Sequence, residues 1–93
     1  MQAMPINFKQ AAQLVKTLSK SPTDSEKLHL YSLYKQSLLG DCNVDKPWFV
    51  DPVGRAKWNA WNDIRGMSCD NAQVKYIELV EQLISRYGII VSW

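Results

Sequence analysis

Apolar positions recur at helical intervals along four stretches of the chain, and each stretch is bounded by residues that start or stop helices. In the first, Phe8, Ala11, Ala12, Val15 and Leu18 share a face. Asn7 stands where a cap belongs, and Gln10 completes a capping box. Pro22 biases the residue before it away from helical geometry, so the spacing predicts a helix over 7–19. Thr23-Asp24-Ser25-Glu26 is a second capping box, opening a helix that runs to about Leu39 and stops at Gly40. Asp51-Pro52 opens a third helix, with aspartate as cap and proline at the first helical position. Lys57, Ala60, Trp61 and Ile64 line one of its faces, Trp58 lies beside Trp61, and Gly66 closes it. Ser68 caps the fourth helix. Its apolar stripe is Ala72, Tyr76, Leu79, Val80, Leu83 and Tyr87, widened by Ile77 and Ile84 and ended by Gly88.

Two segments fall outside that period. Asp41 to Val50 reads as a loop, yet it carries the adjacent aromatics Trp48 and Phe49, for which burial is the expected fate. Ile89 to Trp93 is a short β-branched tail that cannot form a sheet alone and is expected to be coil. The expectation is therefore all-α: one domain over residues 1–93, a core over 7–88, a short N-terminal tail 1–6 and a C-terminal extension 89–93.

The second helix holds the most distinctive stretch. Leu28, Tyr31, Lys35 and Leu38 fall on one face, with Tyr34 alongside. Two phenols and an ammonium among leucines suit a ligand with a flat ring, an anionic group and an apolar part. The same face equally describes a packing stripe whose polar tips reach water, and taken alone the stretch favours packing.

Composition narrows the chemistry. The net charge of +2 is small and spread evenly, which disfavours a dedicated nucleic-acid or membrane-surface protein but leaves room for a small anion. No window approaches the ~18 apolar residues of a membrane span. Met1 to Ile6 lacks the basic start and apolar run of a signal peptide, and Cys42 and Cys69 make no disulfide framework, so a cytoplasmic location is expected. His29 is the only histidine and is expected on the outer face of its helix. As a single histidine it offers no visible dyad and no metal-ligand spacing. Cys69 follows a helix cap that would favour a thiolate, though a bystander thiol is the favoured reading. Binding suits the residues better than catalysis. Lys16, Lys35 and Lys57 lie on three different helices with aromatics nearby, and spacing leaves open whether they converge.

Four motifs then occur in order: Tyr31-Ser32-Leu33-Tyr34-Lys35-Gln36, Gly40-Asp41-Cys42-Asn43, Gly54-Arg55-Ala56-Lys57-Trp58-Asn59-Ala60-Trp61 and Tyr76-Ile77-Glu78-Leu79-Val80-Glu81. Together they resemble the YxxYKQ, GDxN, GKAKWxAW and YIxxVExL segments of the acyl-CoA-binding protein family, over roughly residues 7 to 88. The resemblance implies a four-helix up-down-down-up bundle that binds medium- to long-chain fatty acyl-CoA one to one. It further implies an intracellular carrier and pool former that is monomeric, carries out no catalysis and uses no cofactor, nucleic acid or stable membrane insertion. It assigns the ribose 3′-phosphate to Lys35 and Lys57 and the nucleotide site to Tyr31 and Tyr34, with Tyr34 near the 3′-phosphate. Further ligand contacts would come from Tyr76, Ala12 and Lys16. Phe8, Val15, Leu18, Tyr76, Ile77, Val80 and Leu83 match the family's patch between first and last helices. The physical terms agree, since cations and phenols satisfy phosphates and each buried methylene contributes ~0.8 kcal/mol.

The chain departs from the family pattern in three places. Pro47-Trp48-Phe49 stands where the family has Pro-Gly and aliphatics, Arg55 replaces a lysine, and the tail beyond Gly88 is extended. Those aromatics, with Trp93, define the alternative: a diverged member acting as a protein- or membrane-interaction module.

Overall fold

The computed structural model describes residues 6–90. Four helices form in the predicted places: α1 (Phe8–Leu14), α2 (Asp24–Leu39), α3 (Pro52–Asp63) and α4 (Cys69–Tyr87). Their starts follow from local chemistry. Asn7 and Gln10 exchange reciprocal hydrogen bonds at 2.8 and 3.0 Å, and Thr23 and Glu26 do the same at 3.1 and 2.8 Å. Asp51 Oδ1 accepts from Gly54 N at 3.0 Å, and Ser68 Oγ accepts from Asn71 N at 3.0 Å. A Cβ at Gly54 would crowd the capping Asp51 carboxylate, which would have to shift.

The contacts fix the sense of each helix. Glu26, at the start of α2, accepts from Arg86 Nη1 and Tyr87 Oη, both at 2.7 Å, so α2 runs opposite to α4. Gln36 and Gly40, at the far end of α2, meet Trp61 near the end of α3, so these two run alike. Phe8 packs on Tyr76 while Leu18 pairs with Ile89, so α1 runs with α4. The order is up-down-down-up. Helices α2 and α4 form the centre, α3 packs on α2 alone, and α1 packs on α4. The central cluster is Ala11, Leu33, Tyr76 and Val80, flanked by Phe8, Val15 and Ile77 among others.

Three expectations need correction. The first helix does not reach residue 19. It ends at Leu14, passes through a 3-10 turn (Val15–Thr17), and then Leu18 turns extended. The cause is the tail, expected to be coil: Ser19 N donates to Gly88 O at 2.9 Å and Ile90 N to Thr17 O at 2.7 Å, an antiparallel bridge that draws the chain out of the helix. Residues 91–93, and with them Trp93, lie outside the described residues, as do 1–5.

The third correction concerns the loop. Trp48, Phe49 and Val50 are 78%, 76% and 75% exposed and are not buried. The loop is instead fastened by its backbone. Trp61 Nε1 donates to Gly40 O at 2.9 Å, Arg65 Nη2 to Cys42 O at 2.8 Å, Trp58 Nε1 to Val44 O at 2.8 Å, and Arg55 Nη1 to Pro47 O at 2.9 Å. Donors from α3 and its C-terminal end thus satisfy four carbonyls spread over residues 40–47, and the aromatic side chains of Trp48 and Phe49 are left exposed. No non-glycine residue has positive φ among the described residues, so Trp48 sits in the loop without left-handed backbone strain.

Candidate functional site

Tyr31 is the point on which the predicted site residues converge. Lys35, one turn further along α2, places its ammonium 5.8 Å from the centre of the Tyr31 ring. Lys57 of α3 places its own 5.4 Å from the same centre. Lys35 also stands 5.8 Å from the ring of Trp61. Such cation–ring contacts contribute only ~0.5–1 kcal/mol at accessible sites, so an entering anion can readily displace them. The ion pairs among the described residues join arginines to carboxylates, Arg65 to Asp41 and Arg86 to Glu26, so Lys16, Lys35 and Lys57 are not neutralised by a carboxylate.

Two cavities meet at Tyr31. The first, about 360 Å³, lies between α2 and α3, and its surface is mainly apolar, from Leu28, Tyr31, Pro52, Val53 and Ala56, with the charged Asp24, Lys27 and Lys57 also lining it. The second, about 380 Å³, lies between α1, α2 and α4 and is lined by Ala12, Val15 and Lys16 with Tyr31, Tyr34 and Tyr76. Every site residue inferred from sequence therefore borders one of the two cavities or, for Lys35, the ring between them. Together the cavities can take an elongated ligand with an apolar end and a polyanionic end.

The second cavity has an aromatic floor. Phe8 stacks on Tyr34 with centroids 5.6 Å apart, meets Tyr76 edge-on at 5.2 Å, and Tyr34 and Tyr76 lie 5.7 Å apart. This triad ties α1, α2 and α4 together and leaves Tyr34 37% exposed towards the opening. Burial, and secondarily the neighbouring Tyr34, pushes the Tyr76 phenol up to about 12. Its hydroxyl accordingly stays protonated at neutral pH and can donate to an anion.

Sequence reasoning missed two residues. Gln36 is completely buried. Its Nε2 donates to Asp41 Oδ1 at 2.9 Å and to Met67 O at 2.7 Å, while its Oε1 accepts from Trp61 Nε1 at 3.1 Å. Asp41 Oδ1 also accepts from Gly66 N at 2.7 Å. That bond first, then the Gln36 amide and the Arg65 charge, hold the Asp41 carboxyl below the usual carboxylate range. Gln36 and Asp41 thereby fasten the end of α2 to Trp61 of α3 and to the turn at Gly66 that follows it. Lys27, a surface-looking residue in the first turn of α2, borders both large cavities. Nothing in its spacing distinguishes it from a solvated lysine.

Arg55, the departure from lysine, turns back onto Pro47 O and faces the loop. His29 is exposed, Cys69 is exposed and Cys42 is buried. Among the described residues, no group of three His, Cys, Asp or Glu side chains stands close enough to hold a metal ion, and no helix is long and apolar enough to cross a membrane.

Comparison with known proteins bears on the same surfaces. Residues 6–80 match the family model described as acyl CoA binding protein. The chain is 48% identical over 85 residues to acyl-CoA-binding protein homolog 1 of Caenorhabditis elegans, covering 91% of this chain and 99% of that one. It is 49% identical over 81 residues to the acyl-CoA-binding protein of Dictyostelium discoideum, covering 87% and 96%. The crystal structure of Oryza sativa acyl-CoA-binding protein 2 superposes with a TM-score of 0.82 at 35% identity, over 85% of this chain and 86% of that one. These relatives favour ligand binding over the interaction-module alternative.

Proposed function

Since the chain belongs to the acyl-CoA-binding protein family, we propose that it binds medium- to long-chain fatty acyl-CoA esters one to one, as a monomeric carrier in the cytoplasm, and leaves the thioester unchanged. The observation that carries this reading is the pair of cavities joined at Tyr31, one apolar and the other edged with aromatics and lysines.

The apolar cavity between α2 and α3 suits the acyl chain. Burying each methylene there contributes ~0.8 kcal/mol, close to fourfold in affinity. The cavity between α1, α2 and α4 suits the nucleoside, with the Tyr34 and Tyr76 rings beside the adenine and Ala12 and Lys16 as further contacts from the α1 side. Lys35 and Lys57 would leave the Tyr31 ring for the ribose 3′-phosphate, whose charge-assisted hydrogen bonds are stronger than the cation–ring contacts they replace. A neutral Tyr76 hydroxyl adds a donor where a phenolate would repel. Binding of this kind requires no nucleophile and no proton transfer.

The double variant Lys35→Ala, Lys57→Ala should keep its fold and bind palmitoyl-CoA at least ~100-fold more weakly, because hydrogen bonds to charged groups contribute ~1.5–3 kcal/mol each. Unchanged affinity in a folded double variant would overturn the phosphate assignment.

A further inference from the structure

Building on the acyl-CoA reading, we propose that Lys27 is a further ligand-binding residue, the cation that receives the diphosphate of the bound ester. Lys27 and Tyr31 are the residues that border both large cavities among those described. They stand one helical turn apart on α2, so their side chains share a face and form the seam between the cavities. A ligand that fills both cavities must cross that seam.

The chemistry of the crossing segment selects its partner. Between the acyl chain and the nucleoside of an acyl-CoA lie a thioester, two amides and a diphosphate. The thioester and amides need no cation. The diphosphate carries charge that must leave bulk water as the ligand seats, and it requires a compensating donor. Lys35 and Lys57 meet at the Tyr31 ring and are assigned to the 3′-phosphate, and Lys16 borders the second cavity alone.

Lys27 is free for this role. Glu26 beside it in sequence is occupied by Thr23 N, Arg86 and Tyr87. Asp24, which shares the first cavity with Lys27, makes no ion pair with it among the described residues. The four-carbon stem can lie along the apolar wall near Leu28 while the ammonium reaches the seam.

The test compares wild type, Lys27→Met and Lys27→Arg by calorimetric titration, with folding checked by circular dichroism. Methionine keeps the length of the stem and removes the charge. The ligands are palmitoyl-CoA, its 3′-dephospho form and palmitoyl-pantetheine, which lacks the diphosphate and nucleotide. Lys27→Met should lose about tenfold in affinity for the first two ligands and nothing for the third, and Lys27→Arg should restore most of the loss. An unchanged affinity for palmitoyl-CoA overturns the proposal, as does a loss confined to the ligand bearing the 3′-phosphate. Equal losses on all three ligands would assign Lys27 a packing role and also overturn it. Failure of the wild-type protein to bind palmitoyl-CoA would instead refute the underlying acyl-CoA reading, and the Lys27 assignment with it.

Discussion

Leu33, Gln36, Ser32 and Ser37 form the buried face of α2, and three of the four are polar. Periodicity points elsewhere, to Leu28, Tyr31, Lys35 and Leu38. That stripe borders the ligand side of the bundle and ends in a Leu38 that is 54% exposed. A polar residue inside a bundle gives no hydrophobic signal. Its role emerges only when the fold supplies partners: Ser37 donates to Leu33 O at 2.6 Å, and Gln36 joins Asp41, Met67 and Trp61. Gln36→Leu should therefore destabilise the protein by ~2–4 kcal/mol in chemical denaturation, since it leaves Met67 O without its donor and removes a bond from both Asp41 and Trp61. A change within ~0.5 kcal/mol of wild type would contradict the account of this hub. Lys27 was illegible for a different reason, because a lone lysine in a first turn looks like any solvated side chain until two cavities are seen on either side of it.

Among the elements, α4 was the most legible. Ala72, Tyr76, Val80 and Leu83 are buried at the spacing the apolar stripe implies; caps marked the starts of all four helices, and Gly40 and Gly88 the ends of α2 and α4. Where the reading failed, nonlocal bonds decided. The end of α1 yields to a bridge with residues at the far end of the chain, which no local pattern encodes. The loop before α3 failed through an assumption about energy. Adjacent aromatics suggested a hydrophobic anchor, whereas indole and guanidinium donors hold the backbone and leave Trp48 and Phe49 in solvent. It follows that Trp48→Ser should leave unfolding free energy within ~0.5 kcal/mol of wild type. Trp58→Phe, which removes the exposed indole bond to Val44 O and leaves that carbonyl the weak Cys42 thiol and water, should cost ~0.5–1 kcal/mol. A large loss at Trp48 in a urea titration would show that the indole packs after all.

Across the whole molecule, two carboxylates connect distant segments and link stability to pH. Glu26 joins the start of α2 to the end of α4, and Asp41 joins the loop to Gln36 and to the turn at Gly66. Both are held below their ordinary values of 4.5 and 3.8: Glu26 by the Thr23 N–H first and then by Tyr87, Asp41 by the Gly66 N–H first and then by Gln36. A carboxyl depressed in the folded state adds stability above its unfolded value, and that stability is lost as pH falls through the folded value. Thermal midpoints should thus hold steady near neutrality and drop in acid below the ordinary carboxylate range, and Glu26→Gln with Asp41→Asn should flatten that drop. An equally steep acid limb in the double variant would place the acid sensitivity elsewhere.

In the proposed function, one bundle joins an apolar cavity to a lysine-edged one so that both ends of an acyl-CoA are needed. Calorimetric titration with palmitoyl-CoA, octanoyl-CoA, free CoA and palmitate tests it most directly. Binding should be one to one, tightest for palmitoyl-CoA, weaker for octanoyl-CoA by the methylenes lost, and far weaker for free CoA and for palmitate. Equal affinity for palmitoyl-CoA and free CoA, or no binding by the folded protein, would contradict it.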